Sequence, residues 1–214
     1  MRNLVVVLGL LSFGTLVNAA AIDCTTAPAI GSNVLSLNPM GCFGGGLLFD
    51  TFSVSSAPPG TTVFLSAIGT GPVGSPQGFS LGFQITAPNP PVDTILQYRV
   101  TAQAGFSIID VDNAQNGVNT RIGEVVCSVA FVSGVCPTGN VLANFANPPT
   151  TMPPAFAPQS VVYILKDVSE PSTNSFISSF VNSHETSGVP EPATLLLLGM
   201  GLVGIASLSR KTRR

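Results

Sequence analysis

The strongest constraint on this chain is a repeated local pattern. Short runs alternate apolar and polar residues, and glycine or proline ends each run. Leu48-Phe49-Asp50-Thr51-Phe52-Ser53-Val54, Thr62-Val63-Phe64-Leu65 and Phe79-Ser80-Leu81-Gly82-Phe83-Gln84-Ile85 are three examples. Similar runs cover 94–101, 105–111, 120–132, 141–145, 160–168 and 176–181. A period of two sends successive side chains to opposite faces of a strand, so each run can bury one face. Proline and glycine clusters at 69–78, 88–91 and 148–158 separate them. Seven to nine short strands joined by turns predict a mainly β fold, an antiparallel β-sandwich over residues 22–182. No stretch between those limits carries a helical period of useful length. The chain has no Trp and its cysteines lie close together, which argues against an antibody-type domain. The alternating positions give a candidate core of Phe52, Phe64, Phe83, Ile95, Val100, Ile108, Val125, Val129, Val162 and Ile164.

Charge narrows the function classes. The net charge of -2 hides an asymmetry, because five of the eight basic residues lie near the ends. Between residues 22 and 188 only Arg99, Arg121 and Lys166 are basic, against nine acidic residues, a formal charge of -6. Nucleic-acid binding is disfavoured, since phosphate contacts need clustered Lys and Arg. The four cysteines fall into two close pairs, Cys24 with Cys42 and Cys127 with Cys136. Three connectivities are open, and the two local bridges are favoured because Gly41 and Ser133-Gly134 allow the chain to turn back. Zinc is a poor rival, as the spacings fit neither a ribbon nor a finger.

Few residues suggest chemistry. Asp110-Val111-Asp112-Asn113, followed by Asn116-Gly117, is the densest set of oxygen ligands, and Asp110, Asp112 and Asn113 form a weak calcium candidate. The EF-hand pattern fails there, with Ala114 at the fifth loop position and no Glu at the twelfth. The favoured reading is a hairpin turn in which Asn116-Gly117 supplies positive φ. His184, the one histidine, falls in a polar stretch expected to be a solvated linker, residues 183–188. No nucleophile elbow, zincin motif or P-loop occurs, and no cofactor is called for. The expectation is a non-enzymatic protein, with a carbohydrate- or calcium-binding adhesive module as the alternative. A more distant alternative is an envelope hydrolase using Asp110, Glu124 or His184.

Both ends carry targeting features. Met1-Arg2-Asn3, an apolar run over 4–17 and the small residues Ala19-Ala20-Ala21 have the form of a secretory signal peptide, residues 1–21. At the other end, residues 193–208 hold no charge. As a helix they would reach roughly 24 Å, slightly less than a hydrocarbon core. This predicts a single C-terminal transmembrane helix. Residues 209–214 then supply a basic stop of Arg210, Lys211, Arg213 and Arg214 that holds the end on the cytoplasmic side. Gly199, Gly201 and Gly204 match a dinucleotide fingerprint in letters only, since they sit inside the apolar span.

Val189-Pro190-Glu191-Pro192 precedes that span. Two prolines hold it extended, with one carboxylate at its centre. The order of Pro-Glu-Pro, apolar span and basic terminus over residues 189–214 resembles a PEP-CTERM sorting signal. The resemblance implies an exosortase as partner, with Pro190, Glu191 and Pro192 as the recognised substrate residues. It also implies export from an exopolysaccharide-producing Gram-negative bacterium, with membrane anchoring before processing and a final place at the cell surface or in the exopolysaccharide matrix.

Overall fold

The computed structural model describes residues 21–66, 78–86, 92–118, 121–147, 155–170 and 176–188. The expected signal peptide up to residue 20, the sorting motif, the apolar span and the basic stop lie outside them. Among the described residues, no helix is long and apolar enough to cross a membrane.

Among the described residues, eleven strands form two sheets. They are β1 (Ile22–Asp23), β2 (Cys42–Gly44), β3 (Leu47–Ser55), β4 (Thr62–Leu65), β5 (Gly78–Thr86), β6 (Val92–Ala102), β7 (Phe106–Val118), β8 (Arg121–Cys127), β9 (Val141–Asn147), β10 (Val161–Glu170) and β11 (Phe176–Gly188). The first sheet has the order β1-β2-β3-β6-β10-β8-β9, the second β4-β5-β11-β7. All pairings are antiparallel except β1 with β2, a short parallel edge that the alternation pattern does not reveal. A 3-10 turn, Val34–Leu37, precedes β2, and the Asn33 side chain accepts from Leu35 N at its start.

Each sheet turns one face to a shared core. Phe49, Phe52 and Tyr98 of the first sheet meet Phe79, Phe83 and Phe180 of the second. Phe83 stacks on Phe180 at 5.2 Å between centroids and tilts against Tyr98 at 5.5 Å. Such pairs add about 0.5–1.5 kcal/mol each beyond the area they bury.

Two bulges set which residues enter this core. In β3 the register shifts between Asp50 and Ser53, and Thr51 takes φ 52° there. The extra residue re-phases the strand, so Phe49 and Phe52, three apart, both point inward. In β7 the shift opposite Glu185 and Thr186 does the same for Ile108 and Val111. Six of the ten expected core residues are buried: Phe52, Phe83, Val100, Ile108, Val162 and Ile164. Phe64, Ile95 and Val125 are half-buried, and Val129 is exposed beyond the end of β8. Strand parity explains two of these misses. Leu96 and Tyr98 face inward on β6, so Ile95 cannot; Glu124 and Val126 face inward on β8, so Val125 cannot.

Two segments differ from expectation. Residues 183–188 are not a linker. They complete β11, paired with β5 up to Glu185 and with β7 to the end. Asn116-Gly117 is not a turn either, because β7 runs on through Val118 opposite Ile177 and Ser179. In both places the neighbouring strand supplies backbone partners that override a polar, turn-like sequence.

Both local disulfides form, Cys24–Cys42 and Cys127–Cys136. They sit toward opposite edges of the seven-stranded sheet. The edges of the second sheet are covered by backbone. Gly31 N donates to Leu65 O at 2.8 Å along β4, and Gln159 exchanges two hydrogen bonds with Ile108 along β7. Covered edges leave no open template for another chain at these points.

Gly44 shows how tightly the sheets approach, because a Cβ there would overlap the Phe79 ring. Gly44→Ala is expected to destabilise the fold by about 1–3 kcal/mol in urea unfolding, as overpacking does. Phe79→Leu in the same chain should recover part of the loss. A neutral Gly44→Ala would mean that Phe79 does not pack on β2.

Candidate functional site

The middle of the sandwich is polar. Glu124 and Lys166 are cross-strand partners on β8 and β10, and both point between the sheets. Asn113 and Asn182 are cross-strand partners on β7 and β11, and they face the first pair from the second sheet. The side chains of Lys166 and Glu124 are 0% exposed, and Lys166 donates to a Glu124 oxygen. Lys166 Nζ also donates to Asn113 Oδ1 at 2.8 Å. Asn182 Nδ2 donates to the other Glu124 oxygen at 3.1 Å and to Tyr98 Oη at 2.7 Å. The Phe180 ring covers Lys166, with its centroid 5.4 Å from Nζ.

His184 extends the seam. Its Nδ1 lies 3.1 Å from the Phe79 carbonyl, which only accepts, so Nδ1 carries the proton. Nε2 is then free to accept from the Tyr98 hydroxyl, 3.5 Å away.

Burial dominates the electrostatics. It pushes the Lys166 ammonium down and the Glu124 carboxyl up, each restrained by the other's charge. It raises Tyr98 well above the usual phenol range, helped by the Glu124 charge. It depresses His184 to about 3 despite the Phe79 hydrogen bond. Buried charge and buried amides outside water are costly unless each finds a partner. Two atoms here find none among the described residues, Asn113 Nδ2 and Asn182 Oδ1.

A second feature lies on the outer face of the first sheet. Arg99 on β6 grips Asp50 on β3 through both carboxylate oxygens, at 2.8 and 2.6 Å. The pair floors a recess of about 580 Å³, walled by Pro39, Met40, Phe43, Leu48 and Gln103. The Arg99 guanidinium that faces the recess is already matched by Asp50.

The sequence-based candidates separate clearly. Asp110 and Asp112 leave β7 on the outer face, while Asn113 turns inward, so the three do not converge on one ion. Among the described residues no three His, Cys, Asp or Glu side chains are grouped to hold a metal. Glu124 and His184 meet in one seam, sealed from solvent, with Asp110 on the far side of the second sheet. Sequence reasoning missed Lys166, Asn182 and Tyr98. A signal existed: Lys166 stands between Ile164 and Val168, and Glu124 between Ile122 and Val126, at the inward phase of apolar strands. The residues 189–192 and 210–214 lie outside the described residues.

His184 makes the fold pH-sensitive. The unfolded chain takes up its proton near 6.5, the folded chain only near 3. Its contribution to stability is therefore complete above pH 6.5 and is lost as pH falls, by about 1.4 kcal/mol per unit. Asp112 works in the opposite sense. Burial and the charges of Asp110, Glu185 and Glu124 raise it to about 6, so it stabilises the fold as pH falls toward 3.8. Comparison with His184→Gln removes such shared effects. The stability gap between wild type and variant should shrink by about 1.4 kcal/mol per unit between pH 6.5 and 4. A gap independent of pH would show that His184 is not held neutral.

Residues 188–214 match the family model described as the PEP-CTERM protein-sorting motif. The chain thus carries this motif from the last residue of β11 onward. No curated protein and no solved structure matches the chain.

Proposed function

We propose that the chain is an exported, non-enzymatic protein of the cell surface or extracellular matrix. It enters the export pathway by the signal peptide at residues 1–21. An apolar span at 193–208 and the cations Arg210, Lys211, Arg213 and Arg214 hold it in the inner membrane with the sandwich in the periplasm. An exosortase recognises Pro190-Glu191-Pro192 and releases the protein toward the surface or the exopolysaccharide matrix. The match of residues 188–214 to the sorting motif carries this reading.

Two features of the domain support it. The two disulfides suit an oxidising compartment outside the cytosol. Glu124 and His184, the buried acid and base, face no solvent, so they have no route to a dissolved substrate.

The motif begins where the fold ends. Gly188 pairs with Phe106 at the end of β11, so no free tether separates the sandwich from Val189. The exosortase therefore acts within a few residues of the sandwich. Replacing Pro190, Glu191 and Pro192 together by Ala tests the assignment by intact mass and cell fractionation. Wild type should lose its tail and reach the surface, while the triple variant stays full-length in the inner membrane. If both keep residues 193–214 and fractionate together, the tail is an anchor and the exosortase plays no part.

A further inference from the structure

We propose that Lys166 and Asn113 join in an intramolecular isopeptide bond, formed within the folded sandwich with Glu124 as the proton carrier. The bond would link β10 of one sheet to β7 of the other.

The geometry supplies each reactant. Lys166 Nζ lies 2.8 Å from Asn113 Oδ1. With a C=O bond of about 1.23 Å, the amide carbon is within about 4 Å of the amine, close to a near-attack distance. Glu124 is hydrogen-bonded to the same Nζ. Its second oxygen is held by Asn182, which Tyr98 holds in turn. Asn113 Nδ2, the atom that must leave, has no hydrogen-bond partner among the described residues. Phe180 walls the amine, and neither Lys166 nor Glu124 is open to water that would compete for the carbonyl.

Burial favours the reactive protonation states, a free amine on Lys166 and a protonated Glu124. The Nζ lone pair attacks Asn113 Cγ and the Nζ–Cγ bond forms. Glu124 gives its proton to the amide nitrogen and takes one from Nζ. The Cγ–Nδ2 bond then breaks, its electron pair stays with nitrogen, and ammonia leaves. One primary amide and one amine become one secondary amide and one ammonia. Glu124 ends as it began, nothing is oxidised or reduced, and no further reactant enters. The reaction also removes the unpartnered Nδ2 and the titratable amine from the core, so the product fits the site better than the reactants do.

Asn182 is the competing amide. Its nitrogen is already engaged by Glu124 and Tyr98, and the amine reaches the oxygen of Asn113 instead.

The full chain, purified, reduced and digested with trypsin, decides the matter by mass spectrometry. The expected result is no cleavage after Lys166. The peptides carrying Asn113 and Lys166 should be recovered joined, lighter than the separate pair by one ammonia, about 17 Da. Glu124→Gln and Asn113→Ala should give unjoined peptides. Wild-type peptides recovered separately at full mass overturn the proposal, and the cluster is then an ion pair only. Ammonia loss confined to an unjoined Asn113 peptide, or a link from Lys166 to Asn182, overturns it equally. Complete joining in Glu124→Gln overturns the role of Glu124. If a variant does not fold, the wild-type peptide map alone decides.

Discussion

A lysine at the centre of a β-sandwich removes most of the freedom that two apolar sheets would otherwise have. Apolar contact is non-directional and tolerates sliding. Lys166 does not tolerate it. A one-residue slip of β10 would turn Lys166 outward and bring Leu165 and Asp167 inside, away from Glu124. A slip of sheet on sheet would separate Lys166 from Asn113 and Asn182 from Glu124. Removing one partner of such a pair costs about 3–5 kcal/mol, because the other is left buried without a partner. The aromatic core of Phe49, Phe52, Phe83 and Phe180 supplies cohesion, and the polar seam selects one alignment of it.

Much of the architecture was legible in the sequence because it rests on local chemistry. Alternation located nine of the eleven strands, and the close cysteine pairs gave the bridges that form. The tail was legible because its three parts are contiguous. What was not legible depends on partners distant in sequence. β1 and β2 are two and three residues long, too short to show a period. Residues 183–188 read as solvent-facing until β5 and β7 are placed on either side of them. Thr51 hides a bulge that no alternation rule predicts, and it moves Phe49 and Phe52 to one face.

The candidate site was harder still, for a chemical reason. Reading charged residues as surface residues is correct for most proteins, and Lys and Glu are rarely buried unless paired. Here that rule points the wrong way on β8, where it favours Val125 as core in place of Glu124. The better guide was parity. A charged residue whose neighbours two places away are both large and apolar lies on their face, and it must have a partner across the core. Applied to Lys166 and Glu124, that rule leads to both ends of one contact.

The position of β11 has a mechanical consequence. It is an inner strand of its sheet, paired with β7 along most of its length and with β5 along its middle, and the chain leaves it at Gly188. A pull on the C-terminus is therefore directed along β11, perpendicular to its hydrogen bonds. Such a load stretches many rungs together in shear, whereas an edge strand pulled sideways would open them one at a time. A load applied at Gly188 therefore enters the most extensively bonded part of its sheet.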